Sequence, residues 1–231
     1  MGLRTAILLF SRTAKEEVAS KQLLPNASFF QKRNIAAALI RHTQRIAKAS
    51  QLPILQLKRQ QGNTFGERLY HAFQQGFAQG YEQIIAIGND SPELSVQQIR
   101  QAAQHLEKGH VVLGPALDGG VYLLGLNKTQ FERFPCLDLP WQTDQLCSTL
   151  EQVIKQKSWT VSFLEPLADI DDAYDFGRFL KSWKGPLPLF RTLQAIISQP
   201  IHFIQLELIY QPLYLFIQFL QRPPPFYPNF L

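Results

Sequence analysis

The chain has 231 residues, 45% of them hydrophobic and 18% charged, which suits one domain with an appendage and excludes both a disordered chain and two ordinary domains. Its formal charge of +5 is unevenly spread: residues 1–68 carry 12 Lys and Arg against 3 Asp and Glu, whereas the remainder carries 11 against 15. That division suits a site where basic groups meet a polyanion beside carboxylates that hold a divalent cation, and no motif of nucleic-acid recognition accompanies it, so nucleic acid is not an expected partner.

Thr5 to Phe10 is a short apolar run that reads as a strand buried on both faces. The start lacks a signal-peptide core and cleavage site, and Ala6 stands where a myristoylation signal needs Ser or Thr, so a cytoplasmic protein is expected. Ser11 to Asn26 reads as a polar loop. Phe30 to Ser50 has Ile35, Ala38, Leu39 and Ile46 at helical spacing, with Lys32, Arg33, Arg41, Arg45 and Lys48 as a solvated face. Pro53 to Leu57 is the next strand, Thr64 to Gly80 a helix and Gln83 to Gly88 a third strand. A helix follows from Ser95 to about Glu107, then strands Val111 to Gly114 and Val121 to Gly125 around a turn at Asp118-Gly119-Gly120. Cys136 and Cys147 form no zinc-like spacing and are too few for a disulfide framework. Thr143 to Lys157 is helical, Thr160 to Leu164 extended and Ala173 to Trp183 helical. The alternation predicts an α/β fold, a three-layer α/β/α sandwich with a mostly parallel sheet.

In such sheets ligands sit outside the carboxyl ends of strands. Ser11, Arg12, Lys15 and Lys21 follow the first strand, and Gly88, Asn89 and Asp90 the third. Asp118, Gly119 and Gly120 come next, and Asp169, Asp171 and Asp172 follow the last. Lysines and carboxylates therefore converge on one edge, without the glycine pattern of a dinucleotide site or a P-loop. Asp90 is read as a metal ligand ahead of a helix cap, and the extended spacing Asp169-x-Asp171 puts two carboxylates on one face, while Asp172 is read as a cap. Lys15 and Lys21 offer ammonium groups to phosphates. Gly119-Gly120 serves either a plain hairpin or a close ligand approach, and Tyr122 and Trp141 either flank a base or sugar or belong to the core.

Several motifs occur in one order. They are Ala6 to Phe10; Gly62 through Arg68; Ile87-Gly88-Asn89-Asp90-Ser91-Pro92; Leu113-Gly114-Pro115 running into Asp118 through Gly125; Pro140-Trp141-Gln142-Thr143; and Asp169-Ile170-Asp171. Over roughly residues 5 to 183 the chain resembles the radical-SAM/selenodomain-associated transferase family, GT-A-like nucleotide-diphospho-sugar transferases. It is similar at greater distance to guanylyltransferases for molybdenum cofactor and 2-phospholactate. The resemblance implies a nucleotide in the crevice at the strand ends with Mg²⁺ or Mn²⁺ on its phosphates. It implies metal binding by Asp90, Asp169 and Asp171, and nucleotide contacts from the first loop with Ser11, Arg12, Lys15 and Lys21. The stretches holding Gly66, Glu67 and Arg68, then Asn89, then Gly119 and Gly120 are implicated likewise. Where relatives carry a glycine and then Lys-Thr-Arg, this chain has Glu17-Val18-Ala19-Ser20-Lys21-Gln22 and no arginine at the match.

The expected function is a metal-dependent transferase with a nucleotide-activated donor, glycosyltransferase-like. The alternatives are a nucleotidyltransferase acting on a phosphorylated small molecule and a nucleotide-binding protein without turnover. Asp90, Asp118 and Asp171 are the candidate catalytic acids, with Asp118 and Glu67 as candidate bases. Residues 1–184 form the expected transferase domain and 185–231 an apolar extension. Glu207, several glutamines and Pro212 disfavour a membrane span between Ile201 and Leu220; that stretch is expected to pack on the domain or on a second copy, as in a homodimer.

Overall fold

The computed structural model describes residues 4–21, 23–55, 57, 60–182 and 187–198. The chain divides into units Met1–Ile197 and Ser198–Leu231, and every element below belongs to the first. In chain order these are β1 (Thr5–Leu9), α1 (Ala14–Ser20), α2 (Phe29–Ala49), α3 (Phe65–Ala78), β2 (Gln83–Ile87), α4 (Val96–Glu107) and β3 (Val111–Pro115). They continue with β4 (Val121–Asn127), α5 (Lys128–Glu132), α6 (Leu146–Gln156), β5 (Val161–Phe163), α7 (Ala173–Ser182) and α8 (Leu187–Ile197).

The sheet has the order β1-β2-β4-β3-β5. β1 pairs parallel with β2 and β3 with β5, while β4 runs antiparallel between β2 and β3. Four strands thus end on the same edge, and β4 starts from it. Successive residues of each strand feed opposite cores. Ala6 and Leu8 pack with Leu69, Phe73 and Phe77 of α3, Phe131 of α5 and Leu150 of α6; Ile7, Ile85 and Ile87 pack with Ala47 of α2 and Ile99, Ala102 and Leu106 of α4. Such double burial explains why the strands read as continuous apolar runs, and it yields the three layers that the alternation predicts.

Two local expectations change. The polar stretch after β1 contains α1, nucleated by a capping box in which the Thr13 side chain accepts from the Glu16 N–H and Glu16 reaches back to the Thr13 backbone. Among the described residues the expected strand at Pro53 to Leu57 reduces to one parallel bridge between Ile54 and Ile7, held by Ile7 N to Pro53 O and Leu55 N to Ile7 O, both 2.8 Å. Pro53 itself has no N–H to extend that ladder.

α8 adds Leu189, Leu193 and Ile196 to a third apolar cluster with Ile35, Ala38 and Leu39 of α2 and Phe176 and Phe179 of α7. Ile170 belongs to this cluster, so the packing around α2 supports the acidic segment before α7. The apolar stretch from Ile201 to Leu220 and the triproline tail lie outside the described residues. Among the described residues no helix is long and apolar enough to cross a membrane.

Cys136 is buried beneath the edge and Cys147 half-buried on α6. Burial pushes the Cys136 thiol up to about 12, and burial with the nearby Glu151 raises that of Cys147. Since the thiolate is the reactive form, maleimide at pH 8 should label Cys147 slowly in the native protein and Cys136 only in denaturant. Mass spectrometry of the labelled protein checks this, and rapid native labelling of Cys136 would contradict its burial.

Candidate functional site

The site forms where four chain segments leave the common edge. After β1, Phe10 N bonds Ile87 O at 2.9 Å, which sets the first loop beside the end of β2. After β2 comes Asn89-Asp90-Ser91, and after β3 the Asp118-Gly119-Gly120 turn. The segment after β5 stays extended: Leu164 N bonds Leu113 O at 2.8 Å and Leu167 N bonds Pro115 O at 3.1 Å, and the chain then crosses until Ile170 N bonds Asp90 O at 2.9 Å. That last bond brings Asp169 and Asp171 to Asp90 across some eighty residues of sequence.

These segments surround a cavity of about 400 Å³, within the usual range for small-molecule sites. Arg12, Glu17, Lys21, Arg68, Asp90, Asp118, Asp169 and Asp171 line it together with Ser11, Asn89 and Gly120. One wall is aromatic: Phe10 meets Phe65 edge to face at 5.2 Å, and Phe65 meets Trp141 at 5.3 Å. The Trp141 indole N–H donates to Cys136 O at 2.6 Å, which fixes the ring against the cavity.

At the foot of the cavity the Lys21 ammonium lies 2.7 Å from Asp90 Oδ1, 2.7 Å from Asp171 Oδ1 and 2.9 Å from Ile170 O. The Ser91 hydroxyl donates to Asp169 Oδ1. Two carboxylates thus share one ammonium, and Asp169 stands beside them on its Ser91 bond. Burial would lower the Lys21 pKa, but Asp90 and Asp171 outweigh it and hold it above its usual value. Asp90 keeps 37% of its side-chain surface open toward the cavity, yet protein encloses the rest of the carboxylate. That desolvation raises its pKa against the pull of Lys21. Asp169 is pushed up to about 7 by burial and, after the opposing Ser91 bond, by the charges of Asp90, Asp118 and Asp171. Glu17 is raised by burial and by Asp90, against Lys21 and Arg12.

Several expected residues serve the framework instead. Lys15 is exposed on α1 and does not line the cavity. Glu67 caps α3, accepting from Asn63 N at 2.6 Å and Thr64 N at 3.2 Å, which lowers its pKa and directs it away from a base's task. Gly66 is buried, and a Cβ there would come within 2.9 Å of Cys136 O and of Trp141. Arg68 donates to Asn63 O at 3.1 Å while still lining the cavity. Tyr122 is core: its hydroxyl donates to Glu165 O at 2.9 Å and accepts from Gln98. Asp172 caps α7, accepting from Tyr174 N and Asp175 N at 2.8 and 2.9 Å, the role its position suggests.

Asp118 stands on the exposed rim, with Oδ1 accepting from Gly120 N at 2.9 Å. Gly119 does not line the cavity but lets two loops touch: its φ is +92°, and a Cβ would overlap the Asp144 backbone. Cys147 N bonds Gly119 O at 2.9 Å on the same contact. The turn is thus a clamp on the segment that carries Trp141, Gln142, Thr143, Asp144 and Leu146 to the cavity.

Residues not singled out from the sequence also line the cavity: Glu17, Gln60, Asp144 and Phe65. The signal for Glu17 was the Thr13-to-Glu16 capping box, because once α1 is seen Glu17 and Lys21 lie one turn apart. Gln60, which donates to Ser11 O at 3.0 Å, has no local signal.

Asn89 is 6% exposed and lines the cavity, yet among the described residues its side-chain amide has no hydrogen-bond partner. Buried polar groups are rarely left so, and a ligand in the cavity would satisfy it. The donor set also fits a divalent cation in kind: Asp90, Asp171 and the Ile170 carbonyl aim oxygens at one point, and Mg²⁺-type sites use one or two carboxylates plus substrate phosphates. Among the described residues no three His, Cys, Asp or Glu side chains form a closed metal group, and Lys21 holds that point instead.

Residues 26–143 match the family described as "Uncharacterized protein conserved in bacteria (DUF2064)". No curated protein matches the sequence significantly. The fold is similar to that of a provisionally named nucleotide-diphospho-sugar transferase from Desulfovibrio desulfuricans, with TM-score 0.68, 20% identity, and coverage of 85% of this chain and 98% of that one. Rv0371c of Mycobacterium tuberculosis, crystallised with manganese, superposes with TM-score 0.45 at 15% identity, covering 79% of this chain and 100% of its own. A CMP:2-keto-3-deoxy-manno-octonic acid synthetase complexed with CTP gives 0.42 at 10%, covering 76% and 96%. These last two overlays are too loose to bear on the site.

Two substitutions separate framework from site. Gly119→Ala should lower the unfolding free energy by about 2 kcal/mol or more, through strain and the clash with Asp144. Asp172→Ala should cost about 1 kcal/mol as a lost cap and leave ligand-induced stabilisation intact. Urea denaturation, with and without ligand, measures both; a Gly119→Ala protein of wild-type stability would contradict the clamp.

Proposed function

Since the chain belongs to the DUF2064 family, with the fold of a nucleotide-diphospho-sugar transferase, we propose that it is a metal-dependent transferase using a nucleotide-activated donor, glycosyltransferase-like. The observation that carries this reading is the convergence of Asp90, Asp171 and the Ile170 carbonyl on one cation position, at the foot of a cavity that also holds Arg12 and Arg68. A polyanion needs the arginines, and the carboxylates need a cation shared with that polyanion.

In this reading the donor's diphosphate lies over Asp90 and Asp171, between Arg12, Arg68 and Lys21. Asp90 and Asp171 would hold Mg²⁺ or Mn²⁺, with Asp169 oriented beside them by Ser91. Such a cation would supply positive charge to offset that of the leaving phosphate. Arg12, Arg68 and Lys21 add fixed positive charge in the same direction. The Phe10, Phe65 and Trp141 wall excludes water and offers ring faces to the base or sugar. Asn89 binds a polar group of the donor with its buried amide. An acceptor hydroxyl enters past the open rim, attacks the sugar's anomeric carbon and gives its proton to the carboxylate of Asp118, while the nucleoside diphosphate departs.

Thermal unfolding of the purified protein with nucleoside triphosphates and nucleotide sugars, each with and without Mn²⁺, tests the proposal. A ligand at a hundred times its dissociation constant adds about 2.7 kcal/mol of stability. The expected result is stabilisation by one class of nucleotide sugar that requires Mn²⁺ and is lost in Asp90→Ala. Nucleoside diphosphate release should accompany it. Pyrophosphate release from a triphosphate would replace sugar transfer with nucleotidyl transfer, and no stabilisation at millimolar nucleotide would overturn both.

A further inference from the structure

Lys21 follows α1 directly, its N–H bonding Glu17 O at 2.9 Å, so its backbone is anchored while its side chain spans the foot of the cavity. The side chain is 14% exposed, whereas Asp90 and Asp171 are 37% and 52% exposed. The ammonium therefore occupies the more enclosed place, and its partners are two carboxylates and a backbone carbonyl. Those hard oxygen donors are equally suited to a divalent cation. An ammonium and a metal ion cannot both occupy the position between Asp90 Oδ1, Asp171 Oδ1 and the Ile170 carbonyl, since two cations at one point repel. The flexible four-carbon stem of lysine permits another place for the charge, and the cavity beside it is where the donor's phosphates would lie.

We propose that Lys21 is a tethered counter-ion that competes with the divalent cation for Asp90 and Asp171 and leaves them for the donor's phosphates when the donor binds. The proposal rests on the metal-dependent reading above and adds a mechanism for ordering its ligands. Without donor, Lys21 keeps two like charges together and holds metal affinity low. With donor, the phosphates attract the ammonium and release the carboxylates to the metal, so each ligand favours the other, as linkage requires. The site is thereby guarded against idle metal occupancy.

The test is Mn²⁺ binding in the absence of nucleotide, followed by electron paramagnetic resonance of the free ion. Four proteins are compared: the wild type, Lys21→Met and Lys21→Gln, which remove the charge, and Lys21→Arg, which keeps it. Circular dichroism and melting temperature establish that each is folded. The expected result is Mn²⁺ binding about tenfold tighter or more in either folded neutral variant, with Lys21→Arg as weak as the wild type. Unchanged or weaker affinity in the neutral variants, with measurable wild-type binding, would overturn the competition and leave the metal site standing. Failure of all four proteins to bind Mn²⁺ would overturn the metal site and the competition together.

Discussion

The carboxyl edge of this sheet depends on neutralising like charges that the backbone forces together. The bond from Ile170 N to Asp90 O fixes the acidic segment against the end of β2, and it carries Asp169 and Asp171 toward Asp90 whatever their side chains prefer. Carboxylates so placed repel, and burial sharpens the repulsion because little water remains to screen it. Lys21 answers with contacts to Asp90, Asp171 and the Ile170 carbonyl. Burial above all raises the pKa of Asp90 and of Asp169, against the pull of Lys21 on Asp90 and of the Ser91 bond on Asp169. Two carboxylates share that one ammonium, which makes the cluster chemically different from a one-to-one structural salt bridge.

Around that cluster, polar groups divide by whether the fold already uses them. Glu67 and Asp172 cap helices, and Tyr122 bonds Glu165 and Gln98. Such groups have their hydrogen bonds and gain little from a ligand. Asn89 is the opposite case, buried without a partner among the described residues and facing the same cavity as Arg12. Leaving such a group unsatisfied costs stability, so its retention is intelligible if a bound molecule completes it. The aromatic wall and the Gly119 clamp then give the cavity its shape rather than its charge.

Much of the architecture was legible because it is written in short-range patterns. The apolar positions of α2, α3 and α4 recur at helical spacing, and the fully buried strands read as unbroken apolar runs. The rule that chemistry lies after strands led to Asp90, Asp118, Asp169 and Asp171, all of which line one cavity. α1 was missed because it spans seven residues, too few to show a periodicity, although its capping box was present. The segment Pro53 to Leu57 has strand-like composition, but one bridge to β1 is all that forms among the described residues.

What the sequence determined by itself was most of the strands and longer helices, the Asp172 cap and the set of charged groups near strand ends, because each depends on neighbours a few positions away. It could not tell that Lys21 is enclosed while Lys15 is exposed, nor that Glu17 and Gln60 join the cavity wall. Nor could it tell that Asp169 is held by Ser91. Those assignments were decided by the crossing of the chain from β5 to Asp90 and by the packing of Ile170 against α2 and α7. Their cause is spatial: charge and burial act through distances of a few ångströms, and Lys21 and Asp171, which share such a distance, stand 150 positions apart in the chain.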